Sequence, residues 1–131
     1  MVLLENKQKM EIEKGSAQIE VIGVFGSVYL YAENGKDIIS ALYRALSRRK
    51  RWNDPDYLAR IIFCQMVPEE DWDKSIGYGI GTEMYANIDI IIRVDTTTEE
   101  LTIQSRSSST SQKINSDFNS FVNDWTSNAQ L

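Results

Sequence analysis

In "NIDIIIRVD", residues 87–95, Ile88, Ile90, Ile92 and Val94 fall at every second position. Alternation of that kind commits a chain to a strand with one buried face, since successive side chains point to opposite sides of the backbone. After the turn-forming "TTTEE", Leu101 and Ile103 in "LTIQS" continue the alternation, so the two runs predict a β-hairpin. A second β-branched and aromatic run, "IEVIGVFGSVYLYAE", is punctuated by Gly23 and Gly26. It predicts two strands, about 18–24 and 27–32, joined by a tight turn.

Between these strand regions the period changes. Ile38, Leu42, Ala45 and Leu46 recur at helical spacing, which predicts a helix over about 36–49. Its last turn and exit, "SRRKR", bring cations to the carbonyl end of the helix dipole. "NDPDYLARIIFCQMVP" then combines Asp54 as N-cap, Pro55 at the first helical position and Asp56 in the first turn. Leu58, Ile61, Ile62 and Gln65 share one face of that second helix, which Pro68 closes. Phe118, Phe121, Val122 and Trp125 mark a final helix at about 115–126, as core or as an interface anchor. Residues 1–14 read as a flexible polar arm rather than a signal peptide. Serine-rich "RSSSTSQK", 106–113, reads as a linker. Residues 15–131 are then a single α+β domain of order ββααβββα. The expected sheet is mostly antiparallel, of about five strands, with two central helices on one face and a C-terminal helix.

The 131 residues include no histidine and one cysteine, Cys64. That excludes Ser–His and Cys–His nucleophilic pairs, disfavours a zinc site, and leaves carboxylates, Lys, Tyr or an oxygen-bound metal for any chemistry. No metal, cofactor or catalytic residue is assigned. A single cysteine suits a reducing cytoplasm, and no apolar run approaches a membrane span. Cys64, in mid-helix, is expected to be a small buried hydrophobe. Glu69, Glu70, Asp71 and Asp73 form an acidic loop around Trp72.

Net charge is −5, but Lys36 to Arg60 holds seven bases against three acids, a local +4 that leaves −9 elsewhere. Such polarity disfavours duplex nucleic acid while permitting a local anion site. Within that segment Arg44, Arg48, Arg49, Arg51 and Arg60 lie near Trp52 and Tyr57 in sequence. Guanidinium groups beside aromatic rings suit a small nucleotide-like anion or an acidic protein surface. The alternative is structural: Trp52 packs between the helices, and Asp54 and Asp56 cap and pair with the arginines.

"IGYGIGT", 76–82, places Gly77, Gly79 and Gly81 at period two. It lacks the lysine and the following helix of a P-loop, and its spacing is not that of a dinucleotide fingerprint. The glycines are expected on one bare strand face, with Tyr78 and Ile80 on the other. That face serves either close packing by a backbone or ring, or a platform for a ligand or partner.

"RWNDPDYLARIIF" followed by "GYGIGT" resembles a pattern in short, functionally uncharacterised proteins of phage and prophage genomes, over about residues 26–95. The resemblance implies a small phage-encoded effector that modifies its host or counters its defences, and it carries over no site residues. From the residues themselves, the leading expectation is a non-enzymatic binding protein. It would occlude a host protein or sequester a small anionic ligand, with Arg44, Arg48, Arg49, Arg51, Trp52, Tyr57, Arg60, Gly77, Tyr78, Gly79 and Gly81 as its surfaces. One alternative is a hydrolase or transferase built on Arg with Asp54, Asp56, Asp71 or Asp73. Another is an assembly protein forming a homo-oligomer through sheet edges or the last helix.

Overall fold

The computed structural model describes residues 15–106 and 112–129; the expected arm at 1–14 and most of the expected linker lie outside them. The strands are β1 (Ala17–Ile22), β2 (Ser27–Ala32), β3 (Tyr78–Gly81), β4 (Ile90–Asp95), β5 (Glu100–Ser105) and β6 (Gln112–Asp117). The helices are α1 (Ile38–Leu46), α2 (Pro55–Met66) and α3 (Phe118–Ala129), with a 3-10 turn at Glu69–Asp71. All six strands form one sheet in the order β3-β2-β1-β4-β5-β6. The α+β class stands, and four of the five pairings are antiparallel.

Two expectations about the sheet need correction. It has six strands rather than five: "QKINSD", expected to be the end of the linker and the start of the last helix, pairs antiparallel with β5. The last helix accordingly begins at Phe118. The second correction concerns the centre, where β1 runs parallel to β4 with Ala17 opposite Ile90 and Val21 opposite Val94. Both strands are therefore interior and need apolar side chains, which their Ile and Val content supplies.

One face of the sheet is the core face. Ala17, Ile19 and Val21 of β1, Leu30 of β2, Ile90, Ile92 and Val94 of β4, and Leu101 and Ile103 of β5 are buried there beneath the helices. Ile39, Leu42 and Leu46 of α1, and Leu58 and Ile62 of α2, close the layer. Phe118, Phe121, Val122 and Trp125 are all buried, so the stripe on α3 is core. Burying side chains of this size stabilises the fold by roughly 1.5–3 kcal/mol each. Among the described residues no helix is long and apolar enough to cross a membrane.

The other face is open except at one end. Residues 82–89 must lead from the edge strand β3 past β2 and β1 to the central strand β4. They cross the sheet beside Gln18, which is only 1% exposed. The Gln18 amide donates to the Glu83 carbonyl (3.1 Å), and its oxygen accepts from the Tyr85 N–H (2.9 Å). The Tyr85 ring meets Tyr31 edge-to-face at 5.2 Å. Further along this face Glu20 accepts from Ser27 and Tyr29 and pairs with Arg93 at 3.3 Å.

Candidate interaction surface

The bases of this segment are all exposed, but most of them hold contacts within the protein. α1 stops at Leu46, so of its bases only Arg44 lies in the last turn, and Arg48 to Arg51 fall in the connector beyond it. Arg49 and Arg51 there adopt left-handed backbone angles (φ 53° and 62°). Arg49 donates to Asn119 (2.7 Å) and Asn123 (3.0 Å) of α3, and its guanidinium lies 5.4 Å from the Trp52 ring centroid. Trp52 is half-buried against Phe118 and donates its indole N–H to the Leu46 carbonyl, closing the end of α1. Arg51 pairs with Asp54 at 3.5 Å and covers the Tyr57 ring at 4.5 Å. Asp54 in turn accepts the Tyr57 N–H, as an N-cap does. The structural alternative for this segment is thus the arrangement found, except that among the described residues the Asp56 side chain makes no hydrogen bond or ion pair. All four bases of the connector are exposed, and the side chains of Arg48 and Lys50 have no partner among the described residues.

Two further arginines are also engaged. Arg44 reaches α2 through the Gln65 side chain (3.0 Å) and carbonyl (3.1 Å). Arg60 donates to the Cys64 sulfur at 3.8 Å. Cys64 itself is exposed, against expectation. The buried face of α2 runs through Leu58, Ala59, Ile62 and Met66, which leaves position 64 on the far side of the helix.

A cleft of about 490 Å³ opens between the start of α1, the end of α2 and strand β3. Arg44 and Tyr78 are the only expected site residues that it brings together. Lys36 and Arg44 stand on its α1 side, with Glu69 and Trp72 opposite. The Trp72 indole N–H is held by the Val67 carbonyl (3.2 Å), which leaves the ring 65% exposed at the rim. The Tyr78 hydroxyl donates to Asp71 at 3.4 Å, and Lys74 pairs with the same carboxylate at 2.7 Å. Burial first, and then the Asp71 charge, push the Tyr78 phenol above its ordinary value. The Asp71 hydrogen bond raises Lys74 in the same direction.

Beside the cleft runs the glycine strand. Gly77 precedes it with φ +99°, and Gly79 and Gly81 lie opposite Tyr31 and Tyr29 on the face away from the helices. The bare face exists, but close packing on it does not: a Cβ at Gly77, Gly79 or Gly81 would meet nothing within 4 Å. The reason is position, since β3 is an edge strand and the crossover leaves from its end. Tyr78 packs partly against the core, whereas Ile80 is 63% exposed and Ile76 72% exposed. These two isoleucines and Trp72 are not among the expected site residues. For the isoleucines the signal is the same alternation taken on its other face, whereas Trp72 lies in the acidic loop and belongs to no periodic pattern. The connector bases lie past the C-terminus of α1 and the cleft near its N-terminus, so they do not make one site.

Compared with known protein families, curated proteins and solved structures, the chain matches none.

Proposed function

We propose that this chain is a non-enzymatic, stoichiometric binding protein that occludes a partner protein, and that its contact surface is the β3 edge with the adjoining cleft. The observation that carries this reading is the exposure of Trp72, Ile76 and Ile80 around one edge strand. Large apolar side chains gathered at an edge favour a protein contact. The displaced titrations argue in the same direction. Tyr78 and Lys74 move further above neutrality, and Asp95 and Asp117 further below it, so none is tuned as a general acid or base. Sequestration of a small anion at the connector is the weaker reading, because Arg49 and Arg51 already serve internal partners. A phage-encoded effector that modifies its host or counters its defences, as the resemblance implies, could act in this stoichiometric manner.

The test is recovery from the native host followed by native mass spectrometry. A one-to-one complex is expected, lost in Trp72→Ala and Ile76→Asp and retained in a double Arg48→Glu, Lys50→Glu variant. A saturable thermal shift with nucleotides that vanishes in the double variant would overturn the protein-partner reading in favour of the anion.

A further inference from the structure

The Gly77 carbonyl accepts the Glu33 N–H at 2.8 Å, which makes Glu33 and Gly77 a hydrogen-bonded pair of the β2–β3 ladder. Bonded and non-bonded pairs alternate along antiparallel strands. Gly79 opposite Tyr31 and Gly81 opposite Tyr29 are then the next bonded pairs. Tyr78 and Ile80 consequently direct their N–H and C=O groups away from β2, to a side where no described strand pairs. The strand itself, "YGIG", carries no proline and no charge, the usual guards of an exposed edge.

The side-chain surface along that edge is also unfilled. Ile80 offers an apolar contact on the core-side face, and the open space over Gly79 and Gly81 leaves room for bulky side chains on the other. Charge selects the occupant. Exposed Glu33, Glu69, Glu70, Asp73 and Glu83 surround the strand, and Lys74 is committed to Asp71. The cations of the cleft, Lys36 and Arg44, belong to its α1 side. A second copy pairing edge to edge would bring like charges together, whereas a cationic strand would meet opposite ones.

We infer that the β3 edge takes up an extended segment of the partner, with Lys or Arg alternating with apolar residues, as a seventh strand of the sheet. This rests on the protein-binding reading and specifies its chemistry. Main-chain bonds to Tyr78 and Ile80 supply the pairing, Ile80 receives an apolar side chain, and the acidic rim receives the cations.

The test uses the full chain with an eight-residue peptide alternating Lys or Arg with Val. Its acidic counterpart and a version N-methylated on alternate residues serve as comparisons. Expected is one-to-one binding of the basic peptide, weakened by salt and at least tenfold by N-methylation, with no binding of the acidic one. Amide exchange at Tyr78 and Ile80, fast in the free protein, should slow on binding. Ile80→Pro should weaken binding at least tenfold while Gly79 and Gly81 keep their protection, since the Ile80 N–H has no role in the β2 ladder. Equal binding of both peptides, binding of neither, undiminished binding by the proline variant, or amides already protected before peptide is added would each overturn the inference. So would self-association abolished by Ile80→Pro, which would assign the edge to a second copy. Failure of this inference and of the broader reading are separable. A host complex that withstands Ile80→Pro but is lost in Trp72→Ala removes strand addition and leaves occlusion standing. Absence of any protein complex removes both.

Discussion

Asp117 closes β6 and opens α3 with one carboxylate. Its Oδ1 accepts the Ser120 N–H at 2.6 Å and its Oδ2 the Ser120 hydroxyl at 3.1 Å, so an otherwise unpaired amide of the first turn is satisfied. Those bonds, the backbone one foremost, hold the carboxyl below the ordinary Asp value of 3.8. Because the folded value is the lower one, the stabilisation is complete above the unfolded value and is lost as pH falls through the folded one. Asp117→Ala should cost about 1 kcal/mol at neutral pH, as lost caps do. Asp117→Asn should keep most of the cap and shed its share of the acid sensitivity. Urea unfolding at pH 7 and pH 3 checks both, and an unchanged acid slope in Asp117→Asn would show that the cap is not the titrating contact. Asp95, held down chiefly by the Thr97 hydroxyl at 2.6 Å, should account for a further part of the same acid limb.

At the scale of elements, glycines sort by what surrounds them rather than by how they look in the sequence. Gly79 has open space where a side chain would stand, whereas a Cβ at Gly35 would lie 2.9 Å from the Gly15 carbonyl and 3.0 Å from the Ala17 side chain. Gly79→Val should therefore be neutral or stabilising by up to about 1 kcal/mol, through strand propensity. Gly35→Ala should destabilise by about 1–3 kcal/mol, through overpacking. Thermal melts of the two variants decide the matter, and a large loss in Gly79→Val would mean that something does pack on β3. The contrast marks how far the fold could be read in advance. Local signals were legible: Asp54 with Pro55 starts α2 as expected, the β4–β5 hairpin stands, and the stripe on α3 is buried. What local pattern could not carry was position in the sheet. β6 has Ile114 as its one buried apolar side chain, too little alternation to register as a strand. Of the two expected surfaces, the basic one rests on a run of cations, yet Arg49 and Arg51 are spent on contacts with α3, Asp54 and Tyr57. Those contacts depend on tertiary placement and leave no periodic trace.

The whole molecule joins the proposed contact edge to its most buried strands through the single crossover at 82–89. β3 lies at the rim and β4 in the middle, so the chain between them must pass two strands with no helix to support it. Gln18 on β1 supplies the anchor, with both ends of its amide bonded to crossover backbone at Glu83 and Tyr85. Apolar substitution there would leave a carbonyl and an N–H without partners at a site closed to water, a loss of about 1–3 kcal/mol. Gln18→Leu should accordingly lower stability by that amount and speed amide exchange at Tyr85, with the β4–β5 hairpin unaffected. Because the crossover leaves from the end of β3, the same variant should also raise exchange at Gly81 and weaken capture at the edge without altering any residue of it. Exchange at Tyr85 and Gly81 that matches the parent protein would mean that the crossover is held by other contacts and that the edge stands independently of the centre.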